Sequence, residues 1–215
     1  MAEIKLSSLE IQNEGVFLPN RYFRQSADEP VGMALIFPGL RYSCDMPLLY
    51  FSSQCLLQRG YDVLQLTIDY GAGDFQGLSR LDQARRLASD AAALVAAGRA
   101  QRSYDRMVAV GKSIGTISLA SLVASGLTAR TIWLTPLLRQ PLLVQAAQKC
   151  LVPALFISSR DDPTYDEQGL SSILEARQAE ALTFSEADHR LEVPGDLGKT
   201  LSILKEVMER VEAFV

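Results

Sequence analysis

The run MVAVGKSIGT, Met107 to Thr116, places a lysine and a serine between two glycines, and two chemistries compete for them. Gly111-Lys112-Ser113 matches the end of a phosphate-binding loop, whose glycine-rich backbone turns its N–H groups onto phosphate oxygens. Gly111-Lys112-Ser113-Ile114-Gly115 also matches Gly-x-Ser-x-Gly, the sharp strand-to-helix turn that presents a nucleophilic serine. The phosphate loop requires another glycine five positions before Gly111. Arg106 stands there, and apolar Met107–Val110 fills the space where a flexible cradle is needed. The serine turn requires a strand, then the motif, then a helix, and Met107–Val110 and Ile114–Ser125 supply both.

A serine hydroxyl is a weak nucleophile until a base takes its proton, so Ser113 demands a histidine. The chain has one, His189, in FSEADHRLEVPGD. The base in turn needs a carboxylate to fix its tautomer and stabilise the imidazolium. PALFISSRDDPTYDEQG offers Asp161, Asp162 and Asp166, each of which also suits a turn or a helix cap. Serine, aspartate, histidine is the chain order of one class of hydrolase.

These residues need a scaffold. Two strands are expected around Lys5–Gln12 and Val16–Arg24. After them, the apolar runs Met33–Phe37, Val63–Ile68, Met107–Val110, Thr131–Leu134, Ala154–Ser158 and Ala181–Phe184 alternate with helical patterns, which predicts a mainly parallel sheet covered on both faces. Leu81, Ala84, Leu87, Ala88, Ala91, Leu94 and Val95 recur at helical spacing and form one apolar stripe. Asp45 is the expected cap of a helix ending at Arg59 before Gly60, Gly126 ends the helix after the serine, and Leu197–Phe214 is a final helix. TIDYGAGDFQG lacks dinucleotide-loop spacing and reads as a surface loop.

With 215 residues and no repeat or long linker, a single domain over 1–215 is expected. A net charge of −4 offers no basic footprint for nucleic acid or anionic lipid, so neither partner is expected. MAEIKLSSLEIQ lacks the pattern of a signal peptide and no run is apolar enough to span a membrane, which points to the cytosol. Cys44, Cys55 and Cys150 are scattered, as free packing thiols would be. A lone histidine without a carboxylate partner at helical spacing gives no metal site, and no cofactor is expected.

ALIFPGLRYS, RGYDVLQLTIDYGAGDF, VAVGKSIGTISLA, PALFISSRDDPT and SEADHRL together resemble the α/β-hydrolase superfamily over nearly the whole chain. The resemblance implies a sheet of about eight strands and a triad Ser113–Asp162–His189, with Asp161 the second choice for the acid. One oxyanion donor would be the Ile114 backbone N–H. By similarity the second comes from the loop after Met33–Phe37, at Leu40 or else Arg41. That loop departs from many relatives in having Pro38-Gly39 where they have His-Gly. Thr135–Pro153, where such enzymes often insert a cap, has room for one connecting helix, so an open site is implied.

The expected reaction is acyl transfer to water, with a small or soluble carboxylic ester as substrate. A thioesterase or peptidase is the alternative, as is a non-catalytic ligand-binding protein of the same fold. Arg41, Lys112, Arg139 and Arg160 fall near strand ends facing the site, where they would either attract an anionic substrate or be ordinary solvated charges. Oligomeric state is not readable from the sequence.

Overall fold

The computed structural model describes residues 3–177 and 179–215. Among these residues ten strands and six α-helices follow one another as β1 (Ile4–Ser7), β2 (Gln12–Asn13), β3 (Val16–Phe17), β4 (Asn20–Gln25), β5 (Gly32–Phe37), α1 (Pro47–Gln58), β6 (Tyr61–Leu66), α2 (Arg80–Arg99), β7 (Met107–Lys112), α3 (Gly115–Ala124), β8 (Arg130–Leu134), α4 (Pro141–Lys149), β9 (Ala154–Ser159), α5 (Glu167–Ala176), β10 (Glu180–Phe184) and α6 (Leu197–Phe214). Eight strands form one sheet in the order β1-β4-β6-β5-β7-β8-β9-β10, parallel from β6 to β10, with β1 and β4 antiparallel at one end.

The sheet's continuous apolar strands feed two cores at once because successive side chains point to opposite faces. Met33, Leu35 and Phe37 of β5 join Ala109 of β7, Trp133 of β8 and Phe156 of β9 against α2, α3, α4 and α5. Ala34 and Ile36 join Val108, Val110, Ile132, Leu134, Leu155 and Ile157 against α1 and α6. Trp133 stacks on Phe156 with centroids 5.3 Å apart, and its indole N–H donates to Thr131 Oγ1 at 2.9 Å, so no buried polar hydrogen is stranded there. Fully burying a Val, Leu, Ile, Phe or Met side chain in these cores is worth roughly 1.5–3 kcal/mol.

The central strands place the site. From β5 the chain crosses through α1 to β6 on one side, then through α2 to β7 on the other, so the strand order reverses between β5 and β7. The loops leaving the carboxyl ends of two such strands diverge and leave a crevice, the usual ligand position in open α/β sheets. Here those loops are Pro38–Met46 and the turn at Ser113.

Several local expectations are corrected. The two amino-terminal strands are four: β1, the short β2–β3 hairpin and β4, which is the buried one of the set. Glu14 and Gly15 both adopt positive φ in the hairpin turn, which interrupts what reads as two longer strands. Met46, not Asp45, precedes α1, and Pro47 opens the helix with its φ already set. The Asp45 carboxylate instead pairs with Arg21 at 2.7 Å. Leu81 lies 59% exposed at the start of α2, outside the stripe formed by Leu87, Ala91, Leu94 and Val95. Gly60 and Gly126 do follow their helices with φ of 83° and 84°, a conformation glycine adopts without steric cost. Between β8 and β9 the described residues form α4 alone, and no cap domain is inserted there. Among the described residues, no helix is long and apolar enough to cross a membrane.

Candidate active site

Ser113 leaves β7 with φ 55°, a left-handed conformation that non-glycine residues adopt rarely and at a cost of about 1–3 kcal/mol. The surroundings impose it. The Ser113 N–H donates to the Leu134 carbonyl at 3.0 Å, and its own carbonyl accepts the Thr116 N–H at 2.9 Å, so the residue is clamped between β8 and the first turn of α3. The flanking glycines allow this packing. A Cβ at Gly111 would stand 2.5 Å from the Gly115 carbonyl oxygen, and one at Gly115 would stand 2.5 Å from that of Phe37. A side chain at Gly115 would push the turn away from β5, and one at Gly111 would push the start of α3 away from β7.

His189 sits between β10 and α6 in a loop held by its own acidic residue. Asp188 Oδ1 accepts the N–H groups of Arg190 at 2.7 Å and Glu192 at 3.0 Å. Buried Ala187 and Leu191 anchor the loop in the core beside α6. The ring's Nε2 lies 2.8 Å from Ser113 Oγ and its Nδ1 lies 2.7 Å from Asp162 Oδ2.

Asp162 follows β9 in a turn closed by the bond from its N–H to the Ser159 carbonyl. Its Oδ1 accepts both the N–H and the hydroxyl of Thr164 at 2.8 Å. Burial acts to raise the carboxyl, but the hydrogen bonds from His189 and from Thr164 outweigh it and hold Asp162 below the usual carboxylate value. An ionised Asp162 accepts the Nδ1–H of His189, which leaves Nε2 as the acceptor for the Ser113 hydroxyl.

Ser113, His189 and Asp162 therefore lie in one hydrogen-bonded line. Asp161 is exposed and outside it, because its neighbour alone points inward from the turn. Asp166 is a helix cap: its Oδ2 accepts the Gly169 N–H at 2.8 Å at the start of α5.

The loop after β5 forms a tight turn in which Gly39 and Tyr42 exchange backbone hydrogen bonds at 3.0 and 3.3 Å. Leu40 and Arg41 occupy its two central positions, and Arg41 has φ 53°. Among the described residues, the backbone N–H groups of Leu40 and Ile114 have no protein acceptor. They belong to the loops that diverge at the β5–β7 crevice.

The four cations divide. Lys112 is 1% exposed and cannot meet a substrate as a surface charge. Arg139 donates to the Tyr165 carbonyl at 3.1 Å, and Arg160 faces Glu167 at 3.5 Å with both side chains more than half exposed. Arg41 is exposed and its stem lies over Gly71. One residue at the site, Thr164, escaped sequence reasoning, and so did the direction of the Lys112 side chain. Thr164 was recoverable from Asp-Pro-Thr, since an aspartate commonly accepts hydrogen bonds from the residue two positions on. The inward course of Lys112 had no sequence signal.

No protein-family model matches the sequence, and no curated protein matches it significantly. Solved structures do. An esterase from Pyrococcus furiosus superposes with TM-score 0.75 at 14% identity, covering 98% of this chain and 91% of that one. A serine hydrolase without a lid from Xanthomonas campestris gives 0.72 at 18%, covering 98% and 95%. Est1E from Butyrivibrio proteoclasticus, solved with ferulic acid bound, gives 0.73 at 12%, covering 96% and 97%. The chain has the α/β-hydrolase fold in its lidless form.

Proposed function

We propose that this chain is a serine hydrolase, acting on carboxylic esters of small or soluble acids through a covalent acyl-enzyme. The observation that carries the reading is the line Ser113 Oγ–His189 Nε2–Asp162, with contacts of 2.8 and 2.7 Å, built on a serine held at φ 55°. The fold's likeness to esterases supports the same reading.

His189 Nε2 takes the Ser113 proton as Oγ attacks the carbonyl carbon, and the carbonyl electron pair moves onto oxygen. Backbone N–H groups of Leu40 and Ile114 receive that oxyanion. Asp162 keeps Nδ1 protonated and stabilises the imidazolium. On collapse the C–O bond to the alcohol breaks, and the leaving oxygen takes the proton from His189. Water then repeats the attack on the acyl-enzyme, giving its proton to His189, and the acid leaves as Ser113 Oγ recovers one.

The open crevice favours small, flexible acyl groups over a deep lipid channel. Three free thiols, two of them buried, fit a cytosolic setting. Hydrolysis of p-nitrophenyl acetate and longer p-nitrophenyl esters, by wild type and by Ser113→Ala, tests the proposal. Turnover by the wild type that Ser113→Ala abolishes is expected; equal rates would overturn it.

A further inference from the structure

Lys112 immediately precedes the nucleophile, yet its side chain turns away from the crevice into the α1–α6 side of the molecule. Its Nζ donates to the His189 backbone carbonyl at 3.0 Å and lies 4.7 Å from the centre of the Tyr42 ring. Along the way its stem packs on the turn after β5: a Cβ at Gly39 would stand 3.1 Å from Lys112 Cδ. One residue thus touches three separate loops. Its backbone is the approach to Ser113, its methylenes meet the Gly39–Tyr42 turn, and its amine holds the main chain of His189. The Ser113–His189 hydrogen bond closes this into a ring that runs from Lys112 Nζ through His189 to Ser113 and back along the chain.

We infer that Lys112 is a positioning residue, a strap that fixes the His189 loop and the Leu40 turn against the nucleophile and thereby sets the Ser113–His189 geometry. An apolar side chain of the same length would fill the space as well. The choice of an amine at a buried position is explained by the bond to the His189 carbonyl, which would otherwise lose a partner.

The strap is also sensitive to pH. Burial pushes the Lys112 ammonium down to about 7, while Asp162, Asp188 and Glu192 oppose the shift and Arg190 adds to it. The Tyr42 ring and the His189 main chain also face it. A neutral amine still donates one N–H to the His189 carbonyl. The charged form adds a positive charge near the imidazolium that must develop, so loss of the Lys112 proton favours the base.

The consequence for rate rests on the proposed hydrolase reading; the strap itself does not. Wild type, Lys112→Met and Lys112→Gln are compared by two measurements. The first is the low-field proton resonance of the His189 Nδ1–H held by Asp162. The second is the rate of fluorophosphonate labelling from about pH 6 to about pH 8. Met keeps the length without the donor, and Gln keeps a donor that is too short, so either variant suffices if the other fails to fold. The strap predicts a folded variant whose low-field resonance is broadened or lost. Its labelling is about tenfold to ~10²-fold slower, with a shallower pH dependence than wild type. A resonance as sharp as wild type together with an unchanged labelling profile would overturn it. If wild type itself does not label, the hydrolase reading falls and the resonance alone decides the strap.

Discussion

The carbonyl oxygen of Phe37 and the Cα of Gly115 lie so close that a side chain at Gly115 would begin 2.5 Å from that oxygen. This contact joins the end of β5 to the start of α3 and sets how near the Leu40 turn comes to Ser113. Gly115→Ala and Gly111→Ala therefore force backbone against backbone. Each is expected to cost about 1–3 kcal/mol of stability and most of the activity. Gly77→Ala, where a Cβ meets nothing within 4 Å, is the neutral control. Thermal melting and ester turnover on the three variants check this.

Asp162 and Asp161 are adjacent in sequence but differ in role. Asp162→Asn removes the acceptor for the His189 Nδ1–H and favours the wrong tautomer, so kcat should fall about 10⁴-fold while the fold persists. Asp161→Asn should leave kcat near wild type. The Asp162 carboxyl also titrates below its unfolded value, so its contribution to stability is present above the ordinary carboxylate range and is lost as pH falls through the folded value. The stability gap between wild type and Asp162→Asn should accordingly narrow in acid, as urea titrations at neutral and at low pH would measure.

The Gly39–Tyr42 turn allows a backbone donor to be deleted by substitution. Arg41 is left-handed at the third position of the turn and Leu40, at the second, is not, an arrangement that favours proline at the second position. Leu40→Pro removes the proposed oxyanion N–H within a turn that accepts the ring, and should lower kcat by ~10²–10³. Leu40→Ala keeps the N–H and should keep most of kcat. Circular dichroism on both variants shows whether the turn survives.

Lys112 gives a stability prediction of its own sign. In the folded protein its ammonium titrates at about 7, against 10.5 ordinarily. Between those values the unfolded chain binds a proton that the folded one does not, so this group makes stability rise with pH through the window. Below it, both states are charged and the folded state bears the full cost of burying the ammonium. Replacing Lys112 by Met should thus help stability more at pH below 7 than at pH near 10.5, read as the difference in Tm between variant and wild type at the two ends.

Much of this architecture was legible because its causes are local. Continuous apolar strands such as Met33–Phe37 are what a sheet buried on both faces requires, and the glycines at 111 and 115 are dictated by backbone contacts that only a strand–turn–helix makes. Ser113, Asp162 and His189 stand out because each follows a strand in an order that brings them to one edge. What escaped depends on contacts between distant segments. Asp45 has the local features of a helix cap, yet Arg21 on β4 claims its carboxylate. Choosing Asp162 over Asp161 needs the direction of a turn. Lys112 reads as one more surface cation in a sequence, because its partners, Gly39, Tyr42 and His189, are far from it along the chain.

The most direct test of the central claim is intact mass after treatment with a fluorophosphonate, on wild type and on Ser113→Ala. The account predicts one adduct on the wild type and none on the variant, since only Ser113 is paired with His189 Nε2. An unmodified, well-folded wild type, or an adduct that persists in Ser113→Ala, would contradict it.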